Sequence, residues 1–437
     1  MTARREGARR VAVIGAGYVG LPTAAVLSHL GHVVVCAEKD PDRLAQLEAG
    51  RSPILEPGLE ELMAEGVARG QLRFVSSASQ AVDGAEFVFL CVPTPQGDDG
   101  SADLSYVEAA AEEIAPHLAP AAIVVNKSTV PVGTVRMVER TTGRQDIRVV
   151  SNPEFLREGS AVHDSLHPDR LVVGAEDRSA ASAVGALFAA TGAPLIVTDA
   201  TTAETIKYAS NAFLATKLSF INAVAGLSEA VGADVRDIVL GLGYDKRIGF
   251  DFLRPGPGWG GSCLPKDTAA LIRMAEDAGY DFALLRGAIA ANQEQELRVL
   301  AKVEAAAGGS LEGRSIAVWG LTFKAGTDDR RASPALAVAR RLLAQGAVVR
   351  AYDPTVSPTP PGPGSDLAGL ELCGDPYEAA RGTVAVVVLT EWDEFRWVDF
   401  AKLGGLMAAR ALVDARNLLD PAALRRVGFS YSGIGRP

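Results

Sequence analysis

The chain has 437 residues, 48% of them hydrophobic and 22% charged, with a formal net charge of −10 at pH 7. Such a length exceeds what one hydrophobic core fills and predicts two or three domains, while the ordinary apolar fraction excludes an intrinsically disordered chain. The acidic balance and the lack of a basic stripe argue against a nucleic-acid-binding protein.

The sequence shows no sign of a membrane span, a secretion signal or a metal site. No run reaches the roughly 18 apolar residues of a spanning helix, and the basic stretch at residues 2–10 is not followed by the apolar run of a signal peptide. The cysteines (Cys36, Cys91, Cys263 and Cys373) show neither CxxC nor Cys/His spacing. We therefore expect a reduced, cytoplasmic protein without a metal.

The N-terminal segment predicts a βαβ unit. The apolar run Val11–Ile14 leads into a glycine turn, a helical pattern follows to about Leu30, and Val33–Ala37 reads as a second strand that ends at Glu38. Further strand-like runs follow along the chain, namely "EFVFLCV", "AIVVNKS", "IRVVSNP" and "RLVVGA". Alternation of this kind predicts a parallel, doubly wound sheet.

The glycine turn matches a dinucleotide-binding motif. Gly15, Gly17 and Gly20 form GxGxxG between a strand and a helix. The first glycine permits the tight turn, the second lets a pyrophosphate approach the backbone, and the third allows close helix packing. Glu38 would bind the adenosine ribose and repel a 2′-phosphate, so NAD is favoured over NADP, although the adjacent Lys39 leaves NADP open.

From about Thr201 the pattern becomes helical. Apolar residues recur at helical spacing through residues 206–221, and further helix is predicted from Thr268 to about Ala307 with a break near Gly279. Segments of this kind often mediate dimerisation. We therefore expect a helical central domain and a homodimer.

A second βαβ pattern begins near Arg314. "SIAVWGLTFK" and "SPALAVARRLLAQGAVVRAYDP" repeat the order of strand, helix, strand and acidic residue. The sequence therefore predicts an α/β protein with two Rossmann-like, doubly wound domains joined by a helical central domain with a long helix. The expected domains are residues 1–200 for NAD, 201–307 for the helical centre with a cysteine loop, and 308–437 for the second Rossmann-like domain.

The second Rossmann-like half lacks the glycine triad. Only Gly320 remains, so a second NAD site is not expected there. Lys324, Arg330 and Arg331 stand close before a helix start at Ser333, a setting that suits another anion. A solvated run of charges is the alternative for this stretch.

The stretch "GPGWGGSCLPKD", residues 256–267, holds Cys263 in a loop too rich in glycine and proline for a helix or strand interior. Pro265 suits the first turn of a following helix, so Cys263 lies at a helix N-terminus, where the helix dipole and the charge of Lys266 favour a thiolate. A thiolate can attack an aldehyde, and the hemithioacetal can lose a hydride to become a thioester. A structural turn cysteine is the alternative.

Two residues on the predicted long helix could assist such chemistry. Lys207 and Asn211 are four residues apart and share one helix face. If they are buried at a ligand, they would donate hydrogen bonds to a developing oxyanion. A solvated helix edge is the alternative.

Polar residues also follow two predicted strands of the first sheet. Glu154 and Glu158 come after one strand, and a carboxylate there could activate a hydrolytic water. Ser128 and Thr129 follow another strand, on the ligand-binding edge of such a sheet. Hydroxyls at strand ends are common turn residues, which is the alternative for this pair.

A series of motifs occurs in the same order as in a known family. The motifs are "GAGYVGLP", "EPGLEEL", "CVPTP", "KSTVPVGT", "NPEFLREG", "KYASNAFLATKLSFIN", "RIGFDFLRPGPGWGGSCLPKD" and "FKAGTDDRRASP". Over nearly the whole chain they resemble the UDP-glucose/GDP-mannose dehydrogenase family. The resemblance implies an NAD-dependent oxidation of a nucleotide sugar's C6 alcohol to the carboxylate, with two NAD reduced per turnover and a C-terminal domain that binds the nucleotide sugar.

The resemblance also implies a set of catalytic residues. They are Cys263, Lys207, Asn211, Asp267, Glu154 and Thr129. Cys263 would form the thioester, and Glu154 would act in its hydrolysis while Thr129 positions water. Lys207 and Asn211 would stabilise the oxyanion. Asp267 would take part in proton transfer or hold the catalytic water and Lys207.

Two larger sets complete the site that the resemblance implies. The cofactor would be bound by Gly15, Gly17, Tyr18, Val19, Gly20, Glu38, Pro93, Thr94, Ser128, Thr129 and Lys266. The substrate would be bound by Phe155, Leu156, Glu158, Lys207, Asn211, Arg247, Phe252, Arg254, Gly260, Phe323, Lys324 and Arg331. Arg247 would reach the neighbouring subunit's site in a dimer. Glu38 departs from the aspartate that family members often carry, and its longer reach keeps the role.

UDP-glucose is the favoured substrate, with dTDP-glucose, GDP-mannose or a UDP-N-acetylhexosamine as alternatives. Members that act on N-acetyl sugars tend to carry His before the cysteine, where this chain has Ser262. Two other classes stay open. A two-electron β-hydroxyacid-type dehydrogenase would need neither Cys263 nor a second nucleotide-binding half, and a nucleotide-sugar sensor would not be catalytic.

Overall fold

The computed structural model describes residues 7–97, 100–362 and 364–436. The chain divides into two compact units. The first extends to Ser210 and also contains Ala269–Ala278, and the second contains Asn211–Thr268 and the chain from Gly279 onward. The predicted three-domain division at residues 200 and 307 stays a prediction.

The first unit is built on an eight-stranded sheet with the order β3-β2-β1-β4-β5-β6-β7-β8. Its strands are β1 (Arg10–Ile14), β2 (Val33–Ala37), β3 (Leu72–Val75), β4 (Phe87–Leu90), β5 (Ile123–Asn126), β6 (Arg148–Ser151), β7 (Leu171–Gly174) and β8 (Leu195–Thr198). The order of β3 to β6 is that of a dinucleotide-binding sheet, in which the strand order reverses beside β1. The register pairs Val13 of β1 with Cys36 of β2 and with Phe89 of β4.

Helices cover both faces of this sheet, as predicted for a doubly wound fold. They are α1 (Gly20–His29), α2 (Pro41–Glu48), α3 (Leu59–Ala68), α4 (Ala78–Ala81), α5 (Ser105–Ile114), α6 (Thr134–Thr142), α7 (Ala161–Leu166) and α8 (Arg178–Leu187), with 3₁₀ turns at Ala115–His117 and Ala189–Thr191. One core cluster contains Leu21 of α1 and Met63 of α3, and the other contains Ile114 of α5 and Val138 of α6. Apolar burial on both faces explains why the strands read as continuous apolar runs.

The strand β7 departs from the predicted parallel order. It pairs antiparallel with β6 through Ser151 and Gly174, and β8 then runs parallel to β7. The predicted parallel, doubly wound sheet is confirmed for β1 to β6, whereas the direction of β7, predicted as the run "RLVVGA", differs. Apolar patterning could not reveal this direction, because a buried strand presents the same residues to the core in either direction.

The predicted long helix is α9 (Ala200–Val231), which has 32 residues and belongs partly to each unit. It is followed by α10 (Val235–Gly243), α11 (Leu264–Asp277) and α12 (Ala283–Ala306). Pro265 lies in the first turn of α11, as predicted. The break near Gly279 is also confirmed, because this residue has a φ of +70° between α11 and α12.

The second unit contains a six-stranded, all-parallel sheet with the order β11-β10-β9-β12-β13-β14. Its strands are β9 (Ser315–Trp319), β10 (Val348–Tyr352), β11 (Glu371–Leu372), β12 (Ala385–Val388), β13 (Ala411–Asp414) and β14 (Ser430–Gly433). Its helices are α13 (Pro334–Ala344), α14 (Pro376–Ala380), α15 (Phe400–Leu406) and α16 (Pro421–Arg426), with a 3₁₀ turn at Asp393–Trp397. Counted in chain order, this strand order repeats that of β3 to β6 in the first sheet, so two Rossmann-like folds are confirmed.

The helical segment and the second sheet share one hydrophobic core. A single buried cluster contains Ile221 of α9, Val299 and Val303 of α12, Ile316 of β9 and Leu342 of α13. This burial places α12 directly against the sheet of the second unit. Among the residues described, none of the helices has both the length and the apolar character needed to cross a bilayer.

Candidate active site

The glycine turn of the first unit has the geometry of a dinucleotide cradle. The N–H of Gly15 donates to the carbonyl of Ala37 at 3.0 Å, which fixes the turn against the end of β2. A Cβ on Gly20 would collide with the carbonyl oxygen of Gly15, whereas a Cβ on Gly17 would meet nothing within 4 Å. Helix α1 starts here with no side-chain cap from Val19. Uncapped N–H groups above an open glycine suit a pyrophosphate.

Glu38 lies directly after β2 and is buried. Its Oε1 accepts the N–H of Asp40 at 3.0 Å, and its Oε2 lies 3.7 Å from Nε of Arg43. Arg43 also donates through Nη2 to the carbonyl of Ala16 at 2.9 Å. Sequence reasoning missed Arg43, which connects the glycine turn to the acidic residue. The cradle and the carboxylate together fit an adenosine dinucleotide.

Other predicted cofactor residues hold the loops after β4 and β5 together. Oγ1 of Thr94 donates to the carbonyl of Thr129 at 2.9 Å, and Oγ of Ser128 donates to the carbonyl of Val92 at 2.7 Å. Tyr18 lies in the turn before α1, and Pro93 is exposed. These hydroxyls therefore have a structural task, and their contact with a cofactor stays a prediction.

A buried ion pair joins two of the predicted catalytic residues. Nζ of Lys207 lies 2.8 Å from Oε1 of Glu154, and both side chains are 4% exposed. The N–H of Leu156 donates to the other oxygen of Glu154 at 2.6 Å. Burial alone would raise the pKa of Glu154, but the charge and hydrogen bond of Lys207, the Leu156 N–H and the charge of Lys127 together hold it below its usual range. Glu154 is therefore an ionised carboxylate that can accept a proton.

The predicted substrate segment after Glu154 carries an aromatic ring between two cations. The guanidinium carbon of Arg170 lies 3.6 Å from the centroid of the Phe155 ring, and Nζ of Lys207 lies 5.6 Å from it. Leu156 and Glu158 are half-buried beside it. Sequence reasoning missed Arg170, because nothing in its own neighbourhood marks it as a site residue.

In the second unit, Cys263 is half-buried and immediately precedes α11. Its carbonyl accepts the N–H of Asp267 at 2.9 Å, the first hydrogen bond of that helix. Oγ of Ser262 lies 3.5 Å from Sγ of Cys263. The thiol therefore lies where the helix N-terminus stabilises a negative charge.

The carboxylate of Asp267 is fully buried and binds two predicted site residues. Oδ1 accepts from Nζ of Lys266 at 2.8 Å, and Oδ2 accepts from Nδ2 of Asn211. Asp267 thus balances the charge of Lys266, which the sequence placed beside the thiol. The hydrogen bond to Oδ2 of Asp267 orients Asn211, and the second N–H of the Asn211 amide can donate to an oxyanion.

The glycine-rich loop before Cys263 is held by buried polar side chains from α9 and α12. Asn292 accepts the N–H of Trp259 at 2.7 Å and donates to its carbonyl at 2.9 Å. Asn222 accepts the N–H of Gly256 at 2.9 Å, and Gln295 donates to its carbonyl at 2.8 Å. These contacts fix a backbone that has no regular secondary structure of its own.

Ser219 and Gly260 also fix the position of this loop. Nε1 of Trp259 donates to Oγ of Ser219 at 2.8 Å, and that hydroxyl donates to the carbonyl of Ala288 at 2.6 Å. A Cβ on Gly260 would collide with the carbonyl oxygen of Ala332. The loop is therefore packed backbone to backbone against the start of α13, which no larger residue at position 260 would permit.

The predicted substrate residues of the second Rossmann-like half, Phe323, Lys324 and Arg331, each have a contact within that half. Nη2 of Arg416, missed by sequence reasoning, donates to the carbonyl of Phe323 at 2.8 Å, and Nζ of Lys324 lies 5.7 Å from the Phe323 ring. Arg331 is exposed and pairs with Asp329 at 2.8 Å. The predicted anion-binding stretch is thus partly neutralised by its own carboxylate.

Three predicted substrate residues precede the cysteine loop. Phe252 is half-buried with a φ of +59°, and Arg254 is exposed. Arg247 is exposed and pairs with Asp245 at 2.6 Å. The structure therefore leaves Arg247 on the surface of the chain, as a residue that reaches a second subunit must be.

The second sheet has an acidic residue where the first has Glu38, but it is used internally. Oδ2 of Asp353, directly after β10, accepts the N–H of Leu321 at 2.7 Å, the N–H of Thr322 at 3.1 Å and Nε1 of Trp392 at 3.2 Å. Because donors of the same chain already occupy this carboxylate oxygen, it is not available to a ribose hydroxyl. This geometry gives the physical reason for expecting no second NAD site.

Two buried ionisable residues of the first unit were not predicted. Nζ of Lys127 donates to Oδ1 of Asn152 at 3.2 Å. Glu204 accepts the N–H groups of Gly133 and Val135 at 2.8 and 3.1 Å, and burial raises the pKa of Glu204 to about 7. The only local signal for Glu204 was its position one turn before Lys207. Across the described ranges, no cluster of three or more His, Cys, Asp or Glu could hold a metal ion.

Comparison with known proteins identifies the family. Residues 9–191 match the NAD binding domain of the UDP-glucose/GDP-mannose dehydrogenase family, residues 201–294 match its central domain, and residues 317–421 match its UDP binding domain. The chain belongs to this family, and its cofactor is NAD.

Individual relatives cover the whole chain. A UDP-glucose 6-dehydrogenase of Rhizobium meliloti (strain 1021) is 46% identical over 98% of this chain and 100% of its own length. The solved structure of a UDP-glucose dehydrogenase from the archaeon Pyrobaculum islandicum is 37% identical, covers 100% of both chains and superposes with a TM-score of 0.90. That of a UDP-D-ManNAc dehydrogenase from Pyrococcus horikoshii is 29% identical over 98% of this chain and 99% of its own, with a TM-score of 0.86.

The position of Glu38 beside Arg43 predicts how the cofactor preference can be changed. Replacing Glu38 with Ser removes the carboxylate that binds the ribose and repels a 2′-phosphate, and it releases Arg43 from that carboxylate. We expect NAD affinity to fall roughly tenfold and NADP binding to improve. The measurement is the dissociation constant of each cofactor, with Glu38→Asp as the control that keeps the charge. An unchanged ratio of the two constants would contradict the assignment of Glu38.

The two hydrogen bonds between Asn292 and the backbone of Trp259 predict that Asn292→Ala lowers stability. This change leaves the buried N–H and carbonyl of Trp259 without their partner, which costs about 1–3 kcal/mol in the free energy of unfolding. Urea unfolding measures this change, and Glu294→Ala on the exposed face of the same helix is the control, expected to stay near wild type. Equal stability of the two variants would show that the loop does not depend on Asn292.

Proposed function

We propose that this protein is an NAD-dependent UDP-glucose 6-dehydrogenase that converts UDP-glucose into UDP-glucuronate by a four-electron oxidation. The observation that carries the proposal is a half-buried Cys263 at a helix N-terminus, on a chain that also holds an NAD cradle and a buried Lys207–Glu154 ion pair. A dehydrogenase that stops at the aldehyde needs no such thiol. Relatives named UDP-glucose 6-dehydrogenase at 42–46% identity support the substrate.

The first oxidation gives an aldehyde at C6. NAD, when bound, accepts the hydride of each oxidation step. In the proposed step the proton of the C6 hydroxyl passes toward Asp267, a buried carboxylate that already holds Lys266 and Asn211. Lys207 and Asn211 donate hydrogen bonds to the oxygen as its negative charge develops. Their burial supports this role, because hydrogen bonds to an anion are stronger where water is excluded.

The second oxidation passes through a covalent intermediate on the protein. The thiolate of Cys263 attacks the aldehyde carbon, a C–S bond forms, and the oxyanion of the hemithioacetal takes the hydrogen bonds of Lys207 and Asn211. Loss of a second hydride leaves a thioester. Glu154 takes a proton from a water positioned by Thr129, the hydroxide attacks the carbonyl, and the C–S bond breaks to release the carboxylate and the thiolate.

The nucleotide sugar is proposed to bind the second unit as well as the segment after Glu154. The loop around Gly260, with Phe252 and Arg254 before it, would contact the sugar and diphosphate, and Phe323, Lys324 and Arg331 would reach it from the second Rossmann-like half. Ser262, where N-acetyl-type members tend to carry His, supports UDP-glucose over a UDP-N-acetylhexosamine. The lower identity to the UDP-D-ManNAc dehydrogenase points the same way.

We also propose that the protein is a homodimer built on α9. Large apolar residues at positions 213, 220, 227 and 231 of this helix are 67%, 55%, 61% and 67% exposed (Phe213, Phe220, Leu227 and Val231). Their spacing places them along one stripe of the helix. Apolar surface of this extent is unfavourable in water and marks a protein contact. In such a dimer the exposed Arg247 would reach the partner's site.

The proposed location is the reducing cytoplasm. None of the four cysteines forms a disulfide, and three of them are buried, including Cys36 and Cys91 of the first unit. A mechanism that depends on the thiol of Cys263 requires a compartment in which it stays reduced.

The ratio of NADH formed to sugar consumed tests the proposed function. With limiting UDP-glucose and excess NAD, we expect about two NADH for each sugar, because a carboxylate lies four electrons above the alcohol. Cys263→Ala should lower overall oxidation about a thousandfold or more while leaving NAD affinity unchanged.

A ratio near one would instead support a two-electron dehydrogenase. Turnover only with dTDP-glucose, GDP-mannose or a UDP-N-acetylhexosamine would keep the chemistry and change the substrate. Binding of a nucleotide sugar without turnover would indicate a sensor. Loss of NAD binding in the Cys263→Ala variant would mark a structural cysteine.

The exposed stripe of α9 predicts the effect of Phe220→Glu on assembly. A charge at the centre of an apolar contact should raise the dimer dissociation constant at least about tenfold. Light scattering after size-exclusion chromatography measures the mass at several concentrations. Trp397→Glu, at an apolar residue that is 83% exposed elsewhere on the chain, is the matched control. A Phe220→Glu variant as dimeric as this control would exclude α9 as the interface.

A further inference from the structure

Lys127 is a buried cation that the proposed chemistry does not use. It follows β5 directly, and its ammonium donates to the neutral amide oxygen of Asn152 at 3.2 Å rather than to a carboxylate. On another side it lies 5.8 Å from the centroid of the Phe188 ring. Burial of an ammonium is unfavourable, and an amide oxygen and an aromatic ring compensate it less than a directly bound carboxylate would. A buried lysine in this setting is a candidate for a role in the neighbouring site.

The contacts of Asn152 connect Lys127 to the segment that carries Glu154. Nδ2 of Asn152 donates to the carbonyl of Val172 at 2.8 Å, so its amide is fixed between Lys127 and β7. Its own N–H donates to the carbonyl of Asn126 at 2.9 Å. Glu154 follows two residues later in the chain. Lys127 therefore holds a fixed positive charge beside the turn from which Glu154 projects.

The ionisable groups around this turn come from three elements. Lys207 approaches Glu154 from α9, Lys127 follows β5, and Cys91 follows β4. Burial raises the pKa of Cys91 to about 12, so that thiol carries no charge at neutral pH. Burial lowers the pKa of Lys127, and Lys207 lowers it further, whereas Cys91 and Glu154 raise it. The charges of both lysines thus act on the carboxylate of Glu154.

We propose that Lys127 is a positioning residue that keeps Glu154 ionised and in place during hydrolysis of the thioester. This inference rests on the proposed function. Lys207 is paired with Glu154 and is also needed at the substrate oxyanion. During the reaction its ammonium therefore has to stabilise two negative charges, so it stabilises Glu154 less. The ammonium of Lys127 is fixed by Asn152 and cannot be drawn away in the same manner. Lys127 supplies a second positive charge that keeps Glu154 ionised while Lys207 interacts with the substrate oxyanion.

The step that depends on Lys127 is the release of the carboxylate from Cys263. Water loses a proton to Glu154, its oxygen forms a bond to the thioester carbonyl carbon, and the C–S bond then breaks with its electron pair on sulfur. No hydride moves in this step. A defect in Lys127 should therefore slow hydrolysis and leave the two oxidations before it nearly unchanged.

The test compares Lys127→Met, which removes the charge, with Lys127→Arg, which keeps it. For Lys127→Met we expect the acid limb of the kcat profile to move up by about one pH unit. On that limb a covalent adduct on Cys263 should accumulate about tenfold above wild type, as measured by intact mass after rapid acid quench. The KM for UDP-glucose should stay within about twofold. Lys127→Arg should restore the profile, and Lys402→Met, at an exposed lysine of the second unit, is the matched control.

Several results would overturn the inference. An unshifted pH profile, or equal slowing of both oxidations without an adduct, would show that Lys127 serves structure alone. Lys127→Gln, which is neutral but can still hydrogen-bond to Asn152, is measured in the same way in case Lys127→Met does not fold. If both neutral variants unfold and only Lys127→Arg folds, the charge serves stability and the inference is wrong.

Failure of the proposed function gives a different result. If wild-type protein yields one NADH per sugar, no thioester forms and the function itself is wrong. If wild-type protein yields two and Lys127→Met shows neither an adduct nor a shifted profile, only the role of Lys127 is wrong.

Discussion

The ion pair between Lys207 and Glu154 is the interaction on which the proposed chemistry of the first unit depends. Two charges that are 4% exposed are costly to bury, and such a pair persists only where hydrogen bonds satisfy the remaining oxygens. The N–H of Leu156 does this for Glu154. Because Lys207 lies in the first part of α9, the pair fixes the start of this helix.

The two sheets show how one strand order can serve two tasks. In the first, Gly17 leaves space above the turn, and the second oxygen of the Glu38 carboxylate lies 3.7 Å from Nε of Arg43. In the second, Thr322 occupies the position that corresponds to Gly17, and Asp353 accepts hydrogen bonds from N–H groups of its own chain. The same fold thus keeps a dinucleotide cradle in one copy and gives it up in the other. The position of a turn in such a sheet therefore does not by itself define a cofactor site.

The sequence was informative where a function depends on neighbouring residues and silent where it depends on distant ones. The GxGxxG turn, the start of α11 at the cysteine and the long helix all follow from local patterns. Arg43, Arg170 and Lys127 could not be found in this way, because their partners are brought together only by the fold. Glu204 binds Gly133, which is 71 residues away. The direction of β7 escaped for a related reason, since strand pairing is not encoded in apolar patterning.

The side chains that hold the glycine-rich loop carry no charge. Asn222, Asn292 and Gln295 hold the backbone through amides, and Ser219 holds the indole of Trp259 through a hydroxyl. None of these groups gains or loses a proton in the range where proteins work, and salt screens neutral hydrogen bonds little. The hydrogen bonds that hold the loop before Cys263 are therefore insensitive to pH and ionic strength. Variation in activity with either must arise in the ionisable side chains that the loop supports.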